Sequence, residues 1–398
     1  MVGPMSEVSN PRASAKVGFS ANADTDAAVN EALAAALAGD GAPPQLVIVY
    51  ATVTHDQERI LRTIRERLPG VPIAGASSAG VSASGLATEA PRCLALTVLR
   101  SHTVRARVAV AEDLSADPAR AGRELAQRLG PPSAGPSVTF VWYDPLTGAN
   151  VAALLAGLAE GRYPEVFGAG AGQPYATPRI RTFQYIDDRA LSNSAVAVVI
   201  DGLAVVHEMT HGMEATGIEL TVTRARDNVI EQLDGQPALD VCCEQLGFEG
   251  VDIQLSSWAL GVKPPDGMAY EGLFTRGIFG VDPERRTITL QAPIPVGARV
   301  QVCIRTKEAV IDRALAMARR MRAALAERRP VLALAFECAA RPPFVGPKVA
   351  SQEVLDVQSL MGPEIPWIGM LAWGEIAPLA GRSEFHNYTF PLCVLCEG

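Results

Sequence analysis

The chain has 398 residues, of which 48% are hydrophobic and 20% charged, with a formal net charge of −8 and a pI near 5.3. This length and composition predict a well-packed globular protein of two or three domains and exclude a disordered chain. The acidic balance argues against nucleic acid as a partner, because nucleic-acid-binding domains present a basic patch. Residues 313–329 form the one basic segment, and their apolar spacing predicts an amphipathic helix with a solvated arginine face.

The N-terminus lacks the apolar segment of a signal peptide, and residues 1–15 are predicted to be a disordered tail. The longest apolar run, residues 194–206, is interrupted by Asp201 and Gly202. It is too short to span a bilayer and predicts a hairpin with an Asp-Gly turn. The seven cysteines have no disulfide-framework spacing, which is typical of reduced thiols. We therefore expect a soluble, cytoplasmic protein with no membrane partner.

Three segments share one layout: residues 46–80, 138–172 and 332–375. Each reads as an apolar strand, a loop, a helix and a second apolar strand that runs into a glycine, at Gly75, Gly168 and Gly369 respectively. Two buried strands joined by a helix are expected to be parallel, with a right-handed crossover. The sequence therefore predicts an α/β fold of two mixed halves built from parallel βαβ units, with the halves spanning residues 16–230 and 231–398.

Small and polar residues follow the strands of these segments. In open parallel sheets, ligands bind beyond the carboxyl ends of the strands, and glycine lets a ligand approach the backbone closely. Glycine also ends strands in many α/β proteins that bind nothing there. The pattern nevertheless favours a shared pocket at the strand ends. Its candidate residues are Ser77, Ser78, Gly80, Asp144, Gly170, Cys338, Arg341, Gly374 and Glu375.

Cys338 precedes His386 and Asn387 in the chain, which is the order of a papain-like nucleophile system. His386 and Asn387 are adjacent, however, so on a strand their side chains point to opposite faces. The papain motif around the cysteine is also absent. A buried core thiol is the plainer interpretation of Cys338, and a Cys- or His-dependent hydrolase or transferase stays an alternative.

Arg341 is a second candidate, because a guanidinium can grip a ligand carboxylate with two hydrogen bonds. The alternative is a salt bridge to Glu353 or Glu375. Glu375 could accept a ligand ammonium group, and His386 could donate a hydrogen bond, titrate near neutrality or pair with Glu375.

Several segments together resemble the FIST family, and in their order and spacing they cover residues 16–396. The segments are VGFSANADTDAAVNEAL (17–33), residues 46–64, VPIAGASSAG (71–80), LDGQPALDV (233–241), LALAFECAAR (332–341), the helix with Glu353, WIGMLAWGE (367–375) and EFHNYT (384–389). The resemblance implies a sensory module that binds a small ligand, with amino acids among the proposed ligands. It also implies an N-terminal and a C-terminal FIST domain. Because so few residues precede the match, we expect no F-box or output domain, and a signal would pass to a separate protein such as a kinase or cyclase.

Some FIST proteins bind haem and sense nitric oxide, so the resemblance also offers a cofactor. The candidate haem ligands here are His207, His211 and His386, and the sequence does not choose among them. No dense cluster of His, Cys and carboxylate residues predicts another metal site.

We therefore favour a ligand-binding sensory protein over an enzyme, without a cofactor unless haem binds. Its predicted ligand is an amino acid or a similar carboxylate. Glu353, His386 and Asn387 complete the predicted site together with the strand-end residues named above.

Overall fold

The computed structural model describes residues 13–39, 41–163, 165–247, 257–264 and 272–397. Most of the predicted tail, residues 1–12, lies outside the described residues. Residues 13–15 begin the first strand.

The first unit forms a sheet with helices on its outer side. Its elements are β1 (Ala13–Ser20), α1 (Thr25–Leu37), β2 (Pro44–Ala51), α2 (Gln57–Arg67), β3 (Ile73–Ser77), β4 (Val81–Ala83), β5 (Leu86–Thr88) and β6 (Leu94–Ser101). Both helices begin at aspartates, Asp24 and Asp56, whose side chains accept a hydrogen bond from the backbone N–H three residues on.

The second unit repeats this order. Its elements are β7 (Arg105–Glu112), α3 (Pro118–Leu129), β8 (Ser137–Tyr143), a short 3-10 turn (Pro145–Thr147), α4 (Val151–Ala159), β9 (Val166–Gly170), β10 (Gln184–Ile186), β11 (Arg189–Leu191) and β12 (Ser194–Asp201).

The third unit carries a large insertion after its first strand. Its own elements are β13 (Ala204–Thr210), α6 (Lys307–Ala324), β21 (Arg329–Cys338), α7 (Arg341–Val345), α8 (Pro347–Met361), β22 (Trp367–Ala372), β23 (Glu375–Leu379), β24 (Arg382–His386) and β25 (Phe390–Glu397). The insertion, called here the inserted sheet, comprises β14 (Met213–Arg226), β15 (Val229–Leu233), β16 (Gln236–Pro237), α5 (Ala238–Leu246), β17 (Trp258–Val262), β18 (Phe274–Asp282), β19 (Thr287–Leu290) and β20 (Arg299–Arg305).

The α/β fold class is confirmed, and so are the three parallel units. The strand pairs β2–β3, β8–β9 and β21–β22 are parallel, and each pair is joined by a helix. The three marker glycines occupy equivalent positions, because Gly75, Gly168 and Gly369 face Val49, Val141 and Ala335 in the preceding strand. A side chain at Gly75 or Gly168 would collide with the backbone of that strand.

The units exchange hairpins in a cycle. In the sheet orders β1-β6-β2-β3-β10-β11, β7-β12-β8-β9-β23-β24 and β13-β25-β21-β22-β4-β5, the last two strands always come from another unit. The first unit thus completes the third, the second completes the first, and the third completes the second. The sheet of every unit is therefore incomplete without a neighbour.

One central core lies between the three sheets, and separate clusters hold the helices against their outer faces. Aromatic residues occupy equivalent positions in this core: Tyr50, Trp142 and Phe336, one from each unit. Ring centroids of Tyr50 and Trp142 are 6.1 Å apart, and those of Phe140 and Phe336 are 6.1 Å apart. Such contacts between units make the three sheets one packed body.

The predicted hairpin at residues 194–206 is wrong. β12 pairs with β7 and β8 in the second sheet, whereas β13 pairs with β25 in the third. Asp201 and Gly202 thus lie where the chain passes from one sheet to another. Gly202 has a φ of +99°, which lets the chain turn there without a side-chain clash.

Candidate functional site

Five buried polar side chains meet where the third unit touches the second unit and the inserted sheet. This strand-end cluster consists of Tyr143 at the end of β8, Arg305 at the end of β20, Cys338 at the end of β21, Glu375 at the start of β23, and Tyr388 between β24 and β25. Cys338 is 6% exposed and Glu375 is fully buried. The cluster combines two predicted residues, Cys338 and Glu375, with three that the sequence analysis did not single out.

Glu375 is the most unusual member of the cluster. Its Oε2 accepts hydrogen bonds from the Thr389 backbone N–H at 3.2 Å and hydroxyl at 2.8 Å. Its Oε1 has no hydrogen-bond partner among the described residues. Burial raises the pKa of this carboxyl to about 8, and Thr389 and then the Cys338 thiol partly offset the rise. Glu375 is therefore mainly protonated at neutral pH.

Cys338 packs as a core thiol. It lies in a small apolar cluster with Met213, Ala259 and Cys303 of the inserted sheet. Burial, and next the Glu375 carboxyl, raise the pKa of the Cys338 thiol far above its usual range. Since the thiolate is the nucleophilic form, this environment suits a structural or contact role.

His386 does not serve Cys338 as a base. It faces Glu375 across the β23–β24 pair, and its Nε2 lies 3.2 Å from the Ala377 carbonyl oxygen. Burial, followed by the charge of Arg276, lowers the pKa of His386 to about 3, so the ring stays neutral. Its neighbour Asn387 accepts a hydrogen bond from the Gly277 backbone N–H at 2.9 Å and thereby anchors the inserted sheet.

Arg341 lies outside the strand-end cluster and is paired with two carboxylates. Its Nη2 donates to Glu353, and its Nε donates to Glu337 at 3.3 Å. The Arg341 and Glu353 side chains are fully buried, and that of Glu337 is 7% exposed. Of the two salt bridges that the sequence allowed, the structure forms the one to Glu353. We call these three side chains the buried triad.

A cavity of about 20 Å³ lies beside Glu337 and is also lined by Ser82, Thr88 and Glu89. This volume is enough for about one water molecule. The cavity therefore has room for a solvating water beside the triad and none for a metabolite.

The predicted serines and glycines join the units to one another. The Ser77 hydroxyl donates to the Gly172 carbonyl at 2.9 Å, and the Ser78 hydroxyl donates to the Leu371 carbonyl at 3.1 Å. Gly170 and Gly374 are equally close-packed, since the Gly170 backbone N–H donates to the Gly374 carbonyl at 2.8 Å.

Gly80 and Asp144 also have structural surroundings. A side chain at Gly80 would approach the Thr88 carbonyl oxygen to 2.7 Å. Asp144 is buried and accepts hydrogen bonds from the Thr182 hydroxyl and the Asn193 backbone N–H, both at 2.7 Å. The structure thus gathers most predicted residues at the strand ends, but divides them between the strand-end cluster, the buried triad and contacts between units.

Sequence reasoning missed Tyr143, Arg305 and Tyr388. Arg305 lies between two rings, with its guanidinium carbon 4.1 Å from the Phe344 centroid and 4.6 Å from the Tyr388 centroid. Burial lowers the pKa of Arg305 to about 10. Tyr388 has a φ of +60°, which is uncommon for a bulky residue and marks a constrained turn. Arg305 comes from the inserted sheet, so no local pattern in the sequence could connect it to Cys338.

Two aromatic residues stand beside the cluster. Tyr175 is 60% exposed, and its ring stacks on that of Trp373 with centroids 6.1 Å apart. The Tyr143 hydroxyl of the cluster donates to the Trp373 carbonyl oxygen at 3.3 Å. Tyr175 and Trp373 therefore form the link between the strand-end cluster and solvent.

A second concave feature lies on another face of the third unit. This groove has a volume of about 500 Å³ and lies between β13, α6 and the end of β23. Its lining comprises His207, Glu208, Met209, Thr210, His211, Arg313, Ala316, Arg320, Pro378 and Leu379.

The surroundings of the three candidate haem ligands give no support to haem binding. His211 Nδ1 accepts a hydrogen bond from the Met213 backbone N–H at 2.9 Å, so in the neutral ring the proton is on Nε2. A histidine that binds a metal through one ring nitrogen donates a hydrogen bond from the other, and Nδ1 of His211 accepts one instead. His386 is 1% exposed. His207 Nε2 lies 3.6 Å from a Glu165 carboxylate oxygen, and its ring contacts Phe167.

Comparison with known proteins gives the family. The sequence matches the FIST N domain over residues 45–236 and the FIST C domain over residues 238–378. The chain belongs to the FIST family. FIST domains are sensory domains that bind small ligands in signalling.

Two mycobacterial relatives of this FIST protein carry names that state no function. An uncharacterized protein of Mycobacterium bovis is 29% identical over 217 residues, which cover 53% of this chain and 55% of the relative. An uncharacterized protein of Mycobacterium tuberculosis strain H37Rv is 30% identical over 217 residues, covering 53% and 56%. The chain spans about half the length of these curated relatives.

Solved structures show only a weak likeness to this chain. A cyanuric acid hydrolase from A. caulinodans aligns over 96% of this FIST chain and 99% of its own, at 10% identity and a TM-score of 0.33. A likeness this weak shows neither a shared fold nor a shared activity.

Two features are absent from the described part of this FIST protein. None of its helices there combines the length and apolar character needed to cross a membrane. Across the same residues, no group of three or more His, Cys, Asp or Glu side chains is arranged to hold a metal ion.

Proposed function

We propose that this FIST protein senses a small amine, with an amino acid as the leading class, and passes the signal to a separate protein. The ligand ammonium group would bind Glu375 Oε1 in the strand-end cluster and hold this carboxyl ionised, so binding would release the proton that Glu375 carries at neutral pH. The proposal rests on a single observation: a fully buried carboxyl group has one oxygen without a hydrogen-bond partner among the described residues. An unsatisfied buried oxygen is costly, and a ligand N–H group would remove that cost.

The position of Glu375 supports a sensory role. It lies directly after Gly374, where β22 passes into the exchanged hairpin that completes the second unit. A ligand at Glu375 would therefore contact the junction of two units and the inserted sheet. Tyr175 is exposed and stacks on Trp373, and its displacement would open a path for the ligand.

The ligand carboxylate has a less definite partner. The guanidinium of Arg341, predicted for this purpose, is paired with Glu337 and Glu353. The observed contacts therefore favour recognition of the amine end, and simple amines should bind as well as amino acids.

Replacement of Glu375 by Gln is expected to abolish binding while keeping the fold. Gln offers one oxygen to Thr389, but its second group is an amide NH₂, which cannot accept from an ammonium group. The measurement is thermal stabilisation of the full chain by a panel of amino acids, by the corresponding amines, and by the same acids without an amino group. Amino acids and amines should raise the melting temperature of the wild type. Glu375→Gln should remove the shift produced by the amines, and it should reduce the shift of each amino acid to that of the same acid without an amino group.

The matched control is Glu384→Gln, on the partner strand of the same hairpin, where the carboxylate lies 3.8 Å from Arg382. Its ligand-induced shifts should equal those of the wild type. Stabilisation by the deaminated acids but not by the amines would refute the proposed role of Glu375.

The same variant should change the pH dependence of stability. The pKa of Glu375 is about 8 in the folded protein and near 4.5 in the unfolded chain, so the wild type loses stability as pH rises between these values. From pH 5 to pH 8, Glu375→Gln should gain stability relative to the wild type by on the order of 3 kcal/mol. Urea unfolding at several pH values measures this difference. A constant difference across this range would show that Glu375 is ionised in the native protein.

A further inference from the structure

The groove beside β13 presents hydrogen-bond donors in excess of acceptors. Arg313 and Arg320 both line it. Arg313 makes one ion pair, from Nη2 to Glu214 at 3.1 Å, and Arg320 uses Nε and Nη2 to hold Glu208. A guanidinium group has five N–H donors, so both arginines keep donors beyond these bonds.

His211 adds a neutral donor to the same groove. Because its Nδ1 accepts from the Met213 backbone N–H, the ring proton of the neutral form is on Nε2. Burial, and then the charges of Arg313 and Arg341, lower the pKa of His211 to about 4, so this tautomer persists at neutral pH. The carboxylate that lines the groove, Glu208, already accepts two hydrogen bonds from Arg320 at 3.1 and 3.0 Å.

One wall of the groove is apolar. Met209 and Ala316 line it, together with Pro378 and Leu379 at the end of β23. A ligand that suits both parts needs oxygen acceptors at one end and a short hydrocarbon portion at the other. A volume of about 500 Å³ suits a small organic molecule.

We propose that this groove binds the carboxylate of a small aliphatic acid, with Arg313, Arg320 and His211 as donors and the Met209 and Leu379 wall against its hydrocarbon chain. This site is separate from Glu375 and does not depend on the amine site proposed above. The two sites lie near opposite ends of the same strand, β23, which begins at Glu375 and ends at Leu379.

The test is titration of the full chain with sodium butyrate, sodium acetate and inorganic phosphate at matched ionic strength, followed by ligand-observed NMR. Butyrate should bind saturably and more tightly than acetate, by about fourfold for each methylene group buried against the wall. Arg313→Gln should weaken butyrate binding about tenfold or more, because it removes a charged donor. His211→Phe should also weaken it.

Arg322→Gln is the matched control. Arg322 lies on the same helix and makes a similar exposed ion pair, to Glu364 at 3.0 Å, but it does not line the groove. Its affinity for butyrate should be unchanged. Equal losses in the two arginine variants, phosphate binding as tight as butyrate binding, or no saturable binding would each overturn the proposal. The Glu375→Gln variant should bind butyrate normally, so failure here is distinct from failure of the amine site.

Discussion

Neither residues 1–230 nor residues 231–398, expressed alone, should show a cooperative unfolding transition. The hairpin β4–β5 of the N-terminal half pairs with β22 of the C-terminal half, and β23 of the C-terminal half pairs with β9 of the N-terminal half. Each fragment would therefore lose an edge of its sheet, and both would expose their share of the central core. Near-UV circular dichroism during heating measures the loss of fixed packing.

The control for the cut itself is the mixture of both fragments, refolded together. The cut at residue 230 falls within β15 of the inserted sheet, so some instability is expected from the break alone. The mixture should nevertheless recover a cooperative transition, because all exchanged strands are then present. A fragment that melts cooperatively by itself, at the temperature of the whole chain, would show that the exchanged hairpins are dispensable.

The sequence was informative about the βαβ units for a physical reason. A strand buried on both faces reads as a continuous apolar run, and the glycine in the following strand marks a close backbone approach. Both signals are local. Gly75 and Gly168 therefore mark equivalent positions in the sequence without any knowledge of strand pairing. Both residues have a positive φ, which explains why these positions are glycines.

Hairpin exchange leaves no comparable signal. Residues 81–88 form one hairpin, β4–β5, and residues 184–191 form another, β10–β11. The strands of each hairpin are short, and the hairpin could pair with any exposed sheet edge. Which edge they join depends on the packing of sheets that are distant in sequence. The same limit applied at Asp201 and Gly202, where two turn-forming residues predicted a hairpin although the chain changes sheets.

The sequence predicted where the candidate residues lie better than it predicted what each of them does. The strand ends do converge, but sequence cannot distinguish a guanidinium that binds a ligand from one that pairs with a carboxylate on a later helix. Glu353 lies on α8, twelve residues after Arg341. The sequence could not predict that Arg305 joins the strand-end cluster, because Arg305 lies on β20 of the inserted sheet.

Replacement of Arg341 by Met should destabilise the protein by about 3–5 kcal/mol at pH 7.5, which is typical when one partner of a buried ion pair is removed. The loss arises because Glu337 and Glu353 would remain buried without a positive charge. Burial already raises the pKa of both carboxyls, and Arg341 opposes that rise. Without Arg341 both pKa values rise further. The carboxyls then stay protonated in the folded state while they ionise in the unfolded chain.

The destabilisation should therefore depend on pH in a defined direction. A carboxyl whose pKa is raised on folding costs nothing below its unfolded pKa and progressively more as pH rises toward the folded value. Urea unfolding of Arg341→Met should show a smaller deficit at pH 5 than at pH 7.5. Adding Glu337→Gln and Glu353→Gln to Arg341→Met should recover part of the stability at pH 7.5, since no ionisable group would then remain in the triad.

The control is Arg320→Met, which breaks a two-bond ion pair with Glu208 at the surface and should cost less than about 1 kcal/mol of stability. If Arg341→Met were as stable as Arg320→Met at both pH values, the buried triad would not stabilise the fold. Arg341 would then again be a candidate for binding a ligand carboxylate.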